Sequence, residues 1–106
     1  MAEIELVANR NIKREDIAKA IEELWSDLKT NQDLREIVAS EGINLKAVDQ
    51  IAANPFSLEA RGQGLDPVTI AFAVAFAPDA AEICRDVWRV VFLPRLKRKF
   101  GDNAIK

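Results

Sequence analysis

The chain has 106 residues, of which 49% are hydrophobic and 30% charged, and its formal net charge is −2. These values are typical of one soluble globular domain that buries enough surface to fold without disulfides or a metal. The sequence contains no His, no Tyr and only one Cys. It therefore excludes Ser/His/Asp and Cys/His catalytic sets, and zinc sites built from His and Cys ligands of one chain.

The N-terminal residues and the single thiol predict a cytoplasmic protein. Glu3 and Glu5 occur where a signal peptide would have its basic region and its apolar core. Cys84 has no second Cys with which to form an internal disulfide, which suits a reducing compartment.

Three helices are predicted in the first half of the chain. The first covers residues 14–29, where the apolar residues fall on one stripe: Ile17, Ile21, Leu24, Trp25 and Leu28. Asn31 is a good N-cap for a second helix over 32–40, and Asn44 for a third over 45–53.

The second and third helices are interpreted as an ordinary helical hairpin and not as a DNA-binding helix-turn-helix. A recognition helix needs basic or amide side chains for bases and phosphates. The third helix offers only Lys46 and Gln50, next to Asp49.

Two short stretches alternate apolar and polar side chains, as strands do. These are residues 3–8 and residues 56–61. We interpret residues 56–64 as an ordered loop, and a minor two-stranded pairing of 3–8 with 56–61 is the alternative.

The segment from residue 65 to residue 101 is predicted to organise the fold. Asp66 and Pro67 are typical of the N-cap and first position of a helix. Between Pro67 and Pro78 no residue is charged, and a helix that is apolar all round is buried. The large residues of this run alternate with alanines, which also fits a strand, but the Asp-Pro start and the alanine content favour a helix.

This apolar run is too short to cross a membrane. A transmembrane helix needs about 20 predominantly apolar residues, and the uncharged run covers only residues 67–78. No transmembrane span is predicted.

Residues 79–93 continue as an amphipathic helix, Pro94 interrupts it, and Gly101 ends it before a frayed tail over 102–106. The sequence leaves open whether 66–100 forms one kinked helix or two or three separate ones. The predicted fold class is all-α: one domain over residues 1–106, a small orthogonal or irregular bundle of about five helices built around this Pro-interrupted segment.

The residues predict no enzyme, no catalytic residue, no cofactor and no metal. The leading hypothesis is an interaction or regulatory module, such as an adaptor, an immunity-like protein or a self-associating subunit, whose partner is another protein or a second copy of the chain. Its basis is an apparent excess of apolar side chains, together with Trp and Arg, which dominate interfaces. The predicted partner-binding residues are Trp88, Arg89, Phe92, Arg95, Leu96, Lys97, Arg98, Lys99 and Phe100.

The same basic end supports two alternatives. Residues 1–66 have a net charge of −5 and residues 67–106 a net charge of +3. An amphipathic helix with basic and apolar sides is typical of peripheral membrane association. A basic cluster over 95–99 also permits nucleic-acid binding through phosphates, or it is only a solvated helix end.

Overall fold

The computed structural model describes residues 2–63, 68–101 and 104–105. Its helices and strands, in chain order, are β1 (Ala2–Asn9), α1 (Arg14–Thr30), α2 (Gln32–Ser40), α3 (Leu45–Asp49), β2 (Phe56–Gln63), β3 (Thr69–Phe76), α4 (Ala81–Val87) and α5 (Leu93–Phe100). A 3₁₀ turn (Pro78–Ala80) precedes α4, and a π-helical turn (Trp88–Phe92) joins α4 to α5.

The chain is a mixed α and β protein, so the predicted all-α bundle is wrong. The three strands form one antiparallel sheet in the order β1-β3-β2. The central strand, β3, occupies the run that was predicted to be the central helix. The helix start predicted at residues 65–67 lies outside the described residues.

Residues 69–76 form a strand because their alternation has a period of two. Ile70, Phe72, Val74 and Phe76 lie on the face of the sheet that packs against the helices. The alanines between them lie on the opposite, outer face. Hydrogen bonds from both neighbouring strands satisfy the β3 backbone. The run could be read with the helical period of 3.6 or the strand period of two. Pairing with distant strands, and not the helix propensity of alanine, therefore determines its structure.

The alternative prediction of two strands over 3–8 and 56–61 is right about the strands and wrong about their pairing. Residues 3–8 and 56–61 do not pair with each other, because β3 lies between them. Phe72, for example, is opposite Leu6 on one side and Ala60 on the other. The interpretation of residues 56–64 as a loop is wrong for residues 56–63, which form β2.

A β-bulge interrupts β2. Ala60 and Gly62 lie opposite consecutive residues of β3, so Arg61 is an extra residue without a register partner. Gly62 has a φ of +113°, a conformation that other residues rarely adopt. From the bulge, Arg61 places its Nη2 atom 2.8 Å from Oε2 of Glu3 and 3.4 Å from Oε2 of Glu59.

Helices are present at the three positions predicted in the first half of the chain, although α3 is shorter than predicted. The Asn31 side chain accepts a hydrogen bond from the Leu34 amide, and the Asn44 side chain accepts from Lys46 and Ala47. Both asparagines are therefore N-caps, as predicted.

A bidentate ion pair ties α2 to α3. The Nη1 and Nη2 atoms of Arg35 lie 2.9 and 2.8 Å from the two carboxylate oxygens of Asp49. Arg35 also donates to the Leu28 carbonyl near the end of α1. One guanidinium thus fixes the relative positions of three helices.

The second half of the chain contains one helical rod over residues 81–100, which ends at Gly101 with a φ of +103°. After the rod, the prediction of a frayed tail does not hold for Ile105. This residue is fully buried and forms an antiparallel bridge with Ala8 of β1.

Candidate protein-interaction surface

One side of the helical rod is part of the core. Trp88, Phe92 and Leu96 are 3%, 0% and 0% exposed. They were predicted to bind a partner, and within this chain they are enclosed. The sheet contributes to this enclosure, since Phe56 of β2 contacts both Trp88 and Phe92.

The basic residues of the predicted set remain accessible. Arg89 and Arg98 are exposed, and so is Lys99. Arg95, Lys97 and Phe100 are half-buried. The predicted interface therefore splits along the rod axis into a buried apolar side and an exposed basic side.

An open depression of about 760 Å³ lies along the exposed side. It is lined by Arg89, Leu93, Pro94, Lys97, Arg98 and Gly101. Residues 89, 93 and 97 follow one another at intervals of four, and residues 94, 98 and 101 at intervals of four and three, so all six share one face of a helix. We call these six residues the basic face.

The sequence-based prediction missed three members of this face: Leu93, Pro94 and Gly101. Their spacing relative to Arg89 and Lys97 was a usable signal. Pro is typical of a helix interruption and Gly of a helix end, so their residue types alone do not indicate a place on a helical surface.

The π-helical turn keeps the rod continuous through Pro94. The Leu93 amide donates to the Trp88 carbonyl, five residues earlier, and Pro94 has no N–H. The two amide positions that would normally follow Arg89 as donors are therefore used elsewhere, at Leu93, or lack a hydrogen, at Pro94. The π turn accommodates Pro94 in this way, and such turns are frequent at functional sites.

Few of these cations are neutralised inside the protein. Arg89 Nη2 lies 3.5 Å from Oδ1 of Asp86, and Lys99 Nζ lies 3.8 Å from Oε2 of Glu23. Within residues 2–63, 68–101 and 104–105, no ion pair involves Lys97 or Arg98. The positive charge of this face is directed to solvent.

Cys84 lies on the opposite side of the rod, in the core, and is 1% exposed. Burial raises the pKa of its thiol to about 11. The thiol is therefore protonated at neutral pH and is not an activated nucleophile. In the described part of the chain, no three His, Cys, Asp or Glu residues are grouped as metal ligands would be.

Among the described residues, no helix is both long enough and apolar enough to span a lipid bilayer.

Comparison of the chain with protein-family models, with curated proteins and with solved structures found no match.

Proposed function

We propose that this protein is a non-enzymatic interaction module that binds an acidic surface of a partner protein through its basic face. The observation that carries the proposal is the solvent-accessible row of Arg89, Lys97 and Arg98 around Leu93 and Pro94, in which Lys97 is half-buried. Interfaces combine apolar contacts with charges complementary to the partner, and Arg is enriched in them.

The rod is also rigid enough to present this row. Its buried side is anchored by Trp88, Phe92 and Leu96. A surface that is ordered before binding loses little conformational entropy on association. The adaptor, immunity-like or self-associating role and the cytoplasmic location stay predictions.

The geometry favours a protein over a membrane surface. An interfacial helix inserts its apolar side among the lipids. In this fold the apolar side of the rod is occupied by the core, so a membrane would meet only the charges and the edges of Leu93 and Pro94.

Nucleic acid is favoured less for a related reason. Sequence-tolerant binding of single strands uses aromatic side chains on which bases stack. Trp88 and Phe92 are buried, and Phe100 is half-buried. The basic face, so far as the structure describes it, has no exposed aromatic platform.

The test is a matched pair of charge-reversal variants. The first carries Arg89→Glu, Lys97→Glu and Arg98→Glu. The control carries Lys13→Glu, Lys19→Glu and Lys46→Glu, three exposed residues away from the basic face with the same total charge change. Binding is measured to a glutamate-rich protein domain, to vesicles with anionic lipid and to a DNA duplex, at low and moderate salt.

We expect saturable binding of the acidic protein that the first variant loses and the control keeps. Equal loss in both variants would mean that only the net charge matters and would contradict the proposal. Tighter binding to vesicles would favour membrane association, and tighter binding to the duplex would favour nucleic-acid binding. Either result would contradict the proposal. Sedimentation of the free protein shows whether a second copy is the partner.

A further inference from the structure

The edge of β1 carries backbone groups that no other described residue pairs with. We infer that this edge binds an extended, basic segment of a partner protein, which adds to the sheet as an antiparallel strand. This interface uses other residues than the basic face and is opposite to it in charge.

The direction of the β1 backbone follows from two hydrogen bonds at its end. The Arg10 amide donates to the Val68 carbonyl, on the β3 side, at 2.7 Å. The Asn9 amide donates to the Ala104 carbonyl, on the other side, also at 2.7 Å. Because successive residues of a strand alternate in direction, the amides of Glu3 and Glu5 point the same way as that of Asn9, away from β3.

These outward groups have no partner among residues 2–63, 68–101 and 104–105. No backbone or side-chain hydrogen bond within this described part reaches the main chain of Glu3 or Glu5 from outside the sheet. Both side chains are exposed. A row of unpaired backbone groups on an edge strand is a template for a further strand.

The chain itself already uses this edge. Ile105 forms an antiparallel bridge with Ala8, and its side chain is fully buried. The bridge shows that the edge accepts antiparallel chain at its Asn9 end. A partner strand would pair in the same antiparallel sense farther along the edge, beside the residues from Leu6 to Glu3.

The other edge of the sheet is engaged by a side chain of α1. The Nε and Nη2 atoms of Arg14, from α1, donate to the Leu58 carbonyl of β2 at 3.1 and 2.6 Å. The bulge at Arg61 also disturbs the regular spacing of backbone groups on β2. Strand addition is therefore directed to β1.

The side chains of β1 select the charge of the occupant. The Glu3 carboxylate already pairs with Arg61, whereas Glu5 is exposed and has no ion pair among the described residues. A second β1 strand beside Glu5 would bring like charges together, which is unfavourable. Lysine or arginine at the position facing Glu5 would form an ion pair. On the inner face Ile4 is half-buried and offers apolar contact. The occupant is thus a segment in which basic and apolar residues alternate.

The first measurement uses the free protein. If the edge is open, native hydrogen exchange at the Glu3 and Glu5 amides is fast, whereas the Leu6 amide, which points to β3, is protected. Slow exchange at Glu3 and Glu5 would show that the edge is covered and would overturn the inference.

The second measurement uses a capped six-residue peptide that alternates lysine and valine, titrated to millimolar concentration and followed by NMR. We expect shift changes along residues 3–6 and slower exchange at Glu3 and Glu5. A peptide with glutamate in place of lysine is expected to bind more weakly. Equal shifts with both peptides, or none with either, would overturn the inference.

Substitutions at Glu5 separate the hydrogen bond from the charge. Glu5→Pro removes an outward amide that the fold does not use, so the sheet is retained and peptide binding is lost. Glu5→Ala keeps the amide and weakens binding about two- to fivefold, the usual effect of one cross-strand charge pair. Glu5→Lys keeps the amide and reverses the preference between the peptides. Unchanged binding by Glu5→Pro, with its spectrum otherwise native, would contradict strand addition.

The two proposals fail independently. The Arg89, Lys97 and Arg98 reversal leaves the peptide titration unchanged, and Glu5→Pro leaves binding of the acidic domain unchanged. Loss of both activities in one of these variants would indicate unfolding or a shared site and would contradict the separation.

Discussion

The ring of Phe56, on β2, lies 5.0 Å from the ring of Phe92, on the helical rod, measured between centroids. Phe56 also contacts Trp25 of α1, Phe76 of β3 and Trp88, with centroid distances of 6.3, 6.1 and 6.2 Å. One aromatic side chain therefore connects the edge strand, the central strand, the first helix and the rod. This cluster holds the residues that would otherwise have formed an apolar interface.

Phe56→Ala is expected to lower the free energy of unfolding by about 3–5 kcal/mol, because it removes a large buried side chain and leaves a cavity between four elements. Urea denaturation followed by Trp fluorescence measures the loss. Phe100→Ala is the matched control and should cost clearly less, since Phe100 is only half-buried. Similar losses for the two variants would show that Phe56 does not have the central position described here.

Much of the local structure is predictable from the sequence, whereas the sheet is not. The apolar stripe that includes Ile17 and Trp25 predicts α1, and the caps at Asn31 and Asn44 predict the next two helices. These signals act within a few residues of one another. Residues 69–76 alternate in the way a strand requires, but the strands that pair with them lie elsewhere in the chain, from Gln63 opposite Ile70 to Ala2 opposite Phe76.

For the same reason, the sequence predicts the position of the charged residues of the candidate site but not that of its apolar residues. The charges of Arg89 and Arg98 place them at the surface, because an unpaired charge is costly to bury. For Trp88 and Phe92 the sequence cannot distinguish a core position from an interface. Their burial depends on Phe56, which contacts both of them and belongs to a strand that pairs with β3.

Gly62→Ala is expected to cost about 1–3 kcal/mol, the strain of holding an alanine at a positive φ of this size. Apart from its two chain neighbours, no described residue has an atom within 4 Å of the position that the new Cβ would occupy, so the loss reports backbone strain and not a clash. Ser57→Ala, at an exposed position of the same strand, should change stability by less than about 0.5 kcal/mol. If Gly62→Ala were equally neutral, the bulge would not need glycine.

The Arg35–Asp49 pair gives the stability a pH dependence in acid. Hydrogen bonds from Arg35 lower the pKa of Asp49 below its usual value. A carboxylate with a lowered folded pKa stabilises the fold at pH values above the unfolded pKa, about 3.9, and the contribution is lost as the pH falls through the folded pKa. Asp49→Asn should therefore destabilise the protein at neutral pH and have a smaller effect as the pH falls below about 4.

Urea midpoints of the wild type and Asp49→Asn at several pH values test this expectation. In an Arg35→Gln background the difference between Asp and Asn at position 49 should no longer depend on pH in this way, because the cause of the lowered pKa has been removed. The same dependence in both backgrounds would assign it to another carboxyl group.

Cys84 is expected to report unfolding, because its thiol is both enclosed and protonated. A disulfide reagent attacks the thiolate, and burial raises the pKa of Cys84 to about 11. Labelling of the native protein near pH 8 should be slow and should accelerate with urea in proportion to the unfolded fraction, whereas the denatured chain reacts at once. Rapid labelling of the native protein without urea would contradict the buried position of Cys84 on the rod.

The same thiol gives the stability a pH dependence in alkali, because its folded pKa of about 11 lies above its unfolded pKa of about 8.5. The protonated thiol contributes its full stability at pH values below the unfolded pKa, and this contribution is lost as the pH rises toward the folded pKa. Cys84→Ala should remove this alkaline loss of stability, which urea midpoints at several pH values would measure.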